Sequence, residues 1–185
     1  MNATTIETLK ELEKTSKDYW NIAPETANFI NMLIKISNSK NILEIGTSNG
    51  YSGIWIANAL KTTGGHLTTI EFWDNRQSLA IENFKKCDVN HLITPKLGSA
   101  LQILENEINE TFDFIFIDAN KGEYIKYFEL IHPLLSDGGI IAADNVLSHE
   151  EKVKPFVDTI KNHPDYQVEI LNLPAGLLLA HKNIK

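Results

Sequence analysis

The chain alternates between short apolar runs and longer segments in which apolar residues recur every three or four positions, and this alternation limits its fold most. The run FDFIFI at Phe112–Ile117 is almost wholly apolar, which is typical of a strand covered on both faces of a sheet. Val153, Phe156, Val157 and Ile160 form the clearest helical stripe. Strands and helices that follow one another in turn predict an α/β fold, a parallel sheet with helices on both faces.

The same patterns predict the element boundaries, with Gly138-Gly139 as the turn into the fifth strand and the last two strands as a hairpin. The predicted strands are Asn41–Ile45, His66–Phe72, Leu92–Leu97, Phe112–Ile117, Ile140–Ala143, Tyr166–Leu171 and Leu177–His181. The first predicted helix is capped by Thr4 or Thr5 and carries the apolar stripe Ile6, Leu9 and Leu12. A second begins near Pro24, and another is capped by Asp74. The remaining predicted helices are Tyr51–Leu60, Ala100–Ile108 and Glu123–Leu135.

Length, charge and cysteine content narrow the class of protein. The 185 residues have room for one domain, residues 1–185, and the net charge of -7 argues weakly against a nucleic-acid partner. Cys87 is the single cysteine, so an intrachain disulfide and a cysteine-rich metal site are both excluded. The polar, acid-containing start is unlike a signal peptide, and no apolar run approaches the roughly 20 residues of a membrane span. We therefore expect a cytoplasmic protein with no membrane partner.

Ligands of such sheets bind beyond the carboxyl ends of the strands, so the residues found there matter most. The turn after the first strand carries Gly46 and Gly50, with Ser52 in the next helix, and permits close approach of a ligand. It lacks the middle glycine of the dinucleotide fingerprint, which disfavours a nicotinamide-dependent dehydrogenase. Glu71 ends the second strand and could accept both hydroxyls of a ribose. The alternatives are a plain strand–helix turn and a solvated acid.

Two further strand ends carry hard oxygen ligands. Asp118 follows the fourth strand, and Asp144 and Asn145 follow the fifth, so neighbouring strands would bring all three to one sheet edge. This set suits Mg²⁺ or a similar cation. Lys121, three residues past Asp118, could act as a base beside such a cation. The alternatives are a helix cap at Asp118, a loop turn at Asp144-Asn145 and a solvated lysine.

Four stretches together resemble the cation-dependent, class I S-adenosylmethionine-dependent O-methyltransferase family, which includes the catechol and caffeoyl-CoA enzymes. They are IAPETANFINMLI (Ile22–Ile34), ILEIGTSNGYS (Ile42–Ser52), FDFIFIDANKGEYIKYFE (Phe112–Glu129) and GGIIAADNVL (Gly138–Leu147). The resemblance implies a Rossmann-like seven-stranded sheet whose last strand is antiparallel. Within the single domain, helices in residues 1–38 would cover the cofactor and acceptor site. Residues 146–152 form a shorter segment than the insertion that covers the acceptor in many relatives.

The resemblance also implies roles for individual residues, with Asp118 in three of them. The implied cofactor-binding residues are Ile22, Glu44, Gly46, Thr47, Ser52, Glu71, Ala100 and Asp118, of which Glu44, Gly46, Thr47 and Ser52 line the methionine part. The implied metal ligands are Asp118, Asp144 and Asn145, and the implied catalytic residues are Lys121 and Asp118.

The resemblance, together with these residues, implies methyl transfer from S-adenosylmethionine, with Mg²⁺ or another divalent cation, to a hydroxyl of a small catechol-like or polyphenolic acceptor. One alternative is a methyltransferase for a hydroxylated uridine in tRNA, against which the net charge of -7 argues. Another is a nucleoside-binding protein without catalysis, against which the three metal ligands and Lys121 argue. The resemblance further implies a homodimer.

Overall fold

The structure is a computed structural model that describes residues 1–184. Helices and strands alternate through most of the chain. The helices are α1 Ala3–Lys14, α2 Ser16–Tyr19, α3 Pro24–Ser37, α4 Tyr51–Thr63, α5 Asp74–Lys86, α6 Ala100–Asn106, α7 Tyr124–Ile131 and α8 Glu150–Asn162, with 3-10 turns at Asn90–Leu92 and Lys121–Glu123. The strands are β1 Asn41–Ile45, β2 His66–Glu71, β3 Ile93–Leu97, β4 Phe112–Ile117, β5 Leu135–Ala143, β6 Tyr166–Leu171 and β7 Leu177–Lys182.

The strands form one seven-stranded sheet in the order β3-β2-β1-β4-β5-β7-β6. Strands β1 to β5 pair in parallel, whereas β7 is antiparallel to both β5 and β6. The predicted Rossmann-like sheet with an antiparallel last strand and closing hairpin is therefore confirmed. Because side chains alternate across a strand, each face of the sheet supports its own apolar cluster, with Ile42 in one and Leu43 in the other.

Strand β4 lies at the centre of the sheet, and its side chains Phe112, Phe114, Ile115 and Phe116 are fully buried. The prediction that both faces of this strand are covered is confirmed. Its neighbours are aligned with it, Ile45 beside Ile117 and Ile117 beside Ala143. The three strands therefore end at one level, which brings the residues that follow them to a common edge.

The strongest correction to the predicted elements is at β5, which begins at Leu135 and not at Ile140. The predicted helix ends earlier, at Ile131, and starts as a 3-10 turn. Leu135 pairs with Phe112 before the register shifts, so Gly138-Gly139 lies inside the strand at an irregularity. A bulge of this kind interrupts the alternation of side chains and hides the strand from a pattern of period two.

Two predicted helix caps are also wrong. Asn2 caps α1, its Oδ1 accepting a hydrogen bond from the Thr5 N–H at 2.8 Å, whereas Thr5 itself is buried. Ile6, predicted on the buried stripe of this helix, is 44% exposed. Trp73 holds the cap position of α5, and Asp74 is the first helical residue. Asn and Asp both suit a helix start, so the sequence alone places these boundaries only to within a few residues.

Cys87 is fully buried in the cluster with Ala80 and Phe84, as predicted for a core residue. Within residues 1–184 no helix is both long and apolar enough to cross a membrane.

Candidate functional site

A cavity of about 530 Å³ opens beyond the carboxyl ends of β1, β2 and β4. This volume is in the range of sites that hold small molecules and cofactors. Most of the predicted cofactor residues line it, namely Ile22, Gly46, Thr47, Ser52, Glu71, Ala100 and Asp118, together with Lys121. Residues that span 100 positions of the sequence therefore line a single cavity.

The turn after β1 is held against the sheet by its backbone. The N–H groups of Gly46 and Thr47 both donate to the carbonyl of Ile70, at 3.0 and 3.2 Å. Gly46 has a φ of +107°, and a Cβ at this position would overlap the Asp118 carbonyl. Glycine is required because the β1 and β4 ends approach too closely for any side chain.

Glu71 lines the cavity and is fixed by backbone donors. Its Oε2 accepts a hydrogen bond from the Ser48 N–H at 2.8 Å, and its Oε1 accepts one from the Trp73 N–H at 2.9 Å. The side chain is 7% exposed. A carboxylate held in this way by two amides is preorganised to accept further hydrogen bonds from a ligand.

Glu44 differs from the prediction, because it lies behind the cavity wall and is not among the lining residues. It is fully buried, and its Oε2 accepts a hydrogen bond from Thr69 Oγ1 at 2.5 Å. Thr69 in turn contacts Thr47 Oγ1 at 2.5 Å. Burial raises the pKa of Glu44 to about 7, and hydrogen bonds from Ser52 and Thr69 oppose only part of that rise. Glu44 therefore supports the turn from beneath.

We expect a Glu44→Gln variant to be less sensitive than the wild type to rising pH. The unfolded chain releases this proton near pH 4.5 and the folded chain near pH 7, so deprotonation between these values favours the unfolded state. The free energy of unfolding of the wild type should fall relative to the variant by about 2 kcal/mol between pH 5 and pH 8. Urea unfolding at both pH values measures it.

Glu169→Gln is the matched control, because Glu169 lies exposed on β6 of the same sheet. The free energy of unfolding of Glu169→Gln should change between pH 5 and pH 8 by as much as that of the wild type. Equal pH dependence of Glu44→Gln and the wild type would contradict a buried, protonated Glu44.

The β4 and β5 ends bring the predicted metal ligands to neighbouring strands. Lys121 Nζ lies 2.8 Å from Asp118 Oδ1, and the two side chains are 19% and 14% exposed. Asp144 is 2% exposed, and its Oδ1 has no hydrogen-bond partner in the described part of the chain. Burial first, and then the charge of Asp118, raise the pKa of Asp144 to about 7. An unpartnered buried carboxylate oxygen beside a second carboxylate fits a site for a hard cation.

Asn145 follows Asp144 with a φ of +67°, a left-handed conformation that asparagine tolerates. Its Nδ2 donates to Ser148 Oγ at 3.3 Å. Asn145 lines a second cavity of about 510 Å³, which does not include Asp144 among its lining residues. The two cavities share the lining residues Trp20, Asn21, Ala119, Asn120 and Lys121.

The N-terminal segment contributes an aromatic side chain to the walls of both cavities. Trp20 lines both cavities and is 71% exposed, with the Arg76 guanidinium 4.2 Å from its ring centroid. Trp73, the residue before α5, lines the first cavity together with Trp20. Arg76 and Tyr127 also line it and were missed, because a single residue on a helix gives no signal of what it faces.

The comparisons with known proteins agree with this geometry. The family described as O-methyltransferase matches residues 1–181. The chain belongs to this O-methyltransferase family. It is 37% identical to caffeoyl-CoA O-methyltransferase 2 of Populus trichocarpa, over 92% of this chain and 78% of the relative. It is 35% identical to caffeoyl-CoA O-methyltransferase of Petroselinum crispum, over 92% and 80%.

Solved structures give the same result. The O-methyltransferase from Bacillus cereus in complex with SAH superposes with a TM-score of 0.87 and 30% identity, covering 99% of this chain and 92% of that one. The resemblance to S-adenosylmethionine-dependent O-methyltransferases is therefore confirmed at the level of the family and the enzyme class.

Proposed function

We propose that the protein methylates a hydroxyl of a small catechol-like acceptor, with S-adenosylmethionine bound in the first cavity and a divalent cation at the β4 and β5 ends. One observation carries the proposal. Asp118 and Asp144 follow the paired residues Ile117 and Ala143, and the buried Oδ1 of Asp144 lacks a partner beside Lys121 and Asp118. Burying the Asp144 carboxylate beside a second carboxylate costs free energy unless a counterion is present, and a bound cation would supply that counterion.

The geometry supports an assignment of residues to each group. Asp118, Asp144 and Asn145 would supply the cation with three oxygen ligands. A bound cation would act as a Lewis acid and template for two adjacent hydroxyls. S-adenosylmethionine would supply the methyl group from its sulfonium.

The side chains of the chain would perform the remaining steps. Glu71 would hold the ribose hydroxyls, and the turn at Gly46 and Thr47 would leave room for the methionine part. Lys121 would take the proton of the attacking hydroxyl at Nζ as a neutral amine, after releasing to solvent the proton through which it contacts Asp118. The N-terminal segment at Trp20 and Ile22 would limit access of water. Correct alignment of the reacting atoms supplies most of the rate gain in such a reaction.

The decisive experiment is a methyl-transfer assay over a panel of catechols and tRNA, with Mg²⁺ and with chelator. We expect transfer to catechols that requires the cation. Transfer that is unaffected by chelator would overturn the cation mechanism, and transfer to tRNA alone would overturn the acceptor. Cofactor binding without transfer would support a nucleoside-binding protein instead. The homodimer and the cytoplasmic location stay predictions.

A Glu71→Gln variant should bind S-adenosylmethionine about ten- to a hundredfold more weakly, since a hydrogen bond to a charged group is worth about 1.5–3 kcal/mol. The glutamine keeps a carbonyl oxygen for one of the two backbone donors, so the turn should persist. Calorimetric titration measures the dissociation constant. Asp74→Asn removes an exposed acid only three residues away and should bind as the wild type does. An unchanged dissociation constant for Glu71→Gln would remove this residue from the cofactor site.

A further inference from the structure

Among residues 1–184, the second cavity is lined by three lysines and by no carboxylate. Its lining includes Lys17 from α2, Lys152 from α8 and Lys121, along with His149 before α8 and other residues that are not acids. Lys121 pairs with Asp118, whereas Lys17 and Lys152 form no ion pair with any residue from 1 to 184. We infer that this cavity binds an anionic group, a carboxylate, carried by the methyl acceptor. The inference rests on the proposed function and narrows its substrate class.

The charge of this cavity contrasts with that of the rest of the protein. The chain carries a net charge of -7, so acids are in excess on its surface. Within residues 1–184 and outside this cavity, Lys86 pairs with Glu11, Lys96 with Glu107 and Lys154 with Asp158, and most other lysines form no ion pair. Lysines from two separate helices that face one cavity without an acid create a local positive field in an acidic protein. Such a field concentrates and orients anionic ligands.

The position of the cavity connects it to the chemistry. Asn145 and Lys121 line it, and it shares the Trp20–Asn21 and Ala119–Lys121 segments with the first cavity. A ligand in the second cavity therefore lies beside the proposed metal ligands and the proposed base. Its volume of about 510 Å³ accommodates a substituted aromatic ring. The diol would lie at the Asn145 and Lys121 edge, and the carboxylate would accept charge-assisted hydrogen bonds from Lys17 and Lys152.

The short segment between Asn145 and α8 leaves this cavity open to solvent. Residues 147–149 are exposed, as are Lys17 and Lys152. Charges at an open site act mainly on recognition, so the expected effect falls on KM more than on kcat.

The test compares two acceptors that differ only in charge, 3,4-dihydroxybenzoate and 3,4-dihydroxybenzamide, with S-adenosylmethionine and Mg²⁺. For the wild type we expect kcat/KM to favour the acid by about tenfold, mainly through KM. The double variant Lys17→Gln/Lys152→Gln should bring the ratio of acid to amide close to one. Lys17→Arg/Lys152→Arg, which keeps both charges, should retain the preference. Lys154→Gln is the matched control, because Lys154 lies on the same helix outside the cavity and is 66% exposed; its ratio should equal that of the wild type.

The outcomes separate this inference from the proposed function. Methylation of acid and amide with equal kcat/KM, or a preference that survives in the double glutamine variant, overturns the anionic subsite and leaves the methyltransferase proposal intact. Methylation of tRNA with no transfer to either phenol overturns both the small anionic acceptor and the catechol proposal. A preference for the acid that weakens as salt is raised, and that is lost only in the glutamine variant, supports the inference.

Discussion

Replacing Asp144 by Asn is expected to lower cation-dependent methyl transfer by about a thousandfold, because a bound cation supplies several kcal/mol of charge stabilisation in the transition state. Asp144 is 2% exposed, and its Oδ1 has no hydrogen-bond partner within residues 1–184, which fits a carboxylate that binds a cation. The isosteric change keeps the packing and removes one formal charge from the ligand set. Binding of S-adenosylmethionine should be unaffected, since Asp144 does not line the first cavity.

Two measurements test this expectation. Single-turnover methyl transfer reports the rate, and the rise of Tm on adding Mg²⁺ reports cation binding without any catalysis. Both should be lost in Asp144→Asn and retained in Asp137→Asn, which changes an exposed aspartate at the opposite end of the same strand. Full activity in Asp144→Asn, or an undiminished Mg²⁺-dependent rise in Tm, would refute the assignment of Asp144 as a metal ligand.

Replacing Lys121 by Met should lower the chemical step by about 10²–10⁴-fold, the usual contribution of a positioned general base. Lys121 Nζ lies 2.8 Å from Asp118 Oδ1, so the substitution also removes a positive charge from beside the proposed cation site. Cation binding should therefore persist or tighten while the rate falls. This combination distinguishes a base from a residue that merely holds Asp118 in place.

The single-turnover rate at saturating cofactor and catechol measures the chemical step. Lys126→Met is the control, because Lys126 is exposed on α7, one turn further along. A single-turnover rate within twofold of the wild type would exclude Lys121 as the base.

The architecture was readable from the sequence where a strand is buried on both faces. NILEI and FDFIFI are continuous apolar or nearly apolar runs, and their observed bounds equal the predicted ones. The same reading was wrong for β5, where a register shift beside Gly138-Gly139 breaks the pattern. It was also wrong for the α1 cap, since Asn2 and the two threonines are all acceptable helix starts.

The candidate site was predictable to the extent that topology dictates it. Residues after parallel strands must meet at one edge, and the aligned ends of β1, β4 and β5 place Gly46, Asp118 and Asp144 there. Whether each side chain faces the cavity or lies buried behind its wall was not predictable from topology. Glu44 was expected on the wall of the cavity and lies behind it, because strand alternation directs its side chain under the turn towards Thr69.

The sequence by itself determined the order of strands and helices and the acids and glycines at the strand ends, because hydrophobic periodicity and turn chemistry are local properties. Tertiary structure alone decided which of those acids face a cavity, which oxygen lacks a partner, and which lysines surround the second cavity. Lys17 and Lys152 are separated by 135 positions and belong to different helices, so only the packing of the N-terminal segment and α8 around the sheet edge brings them to one space.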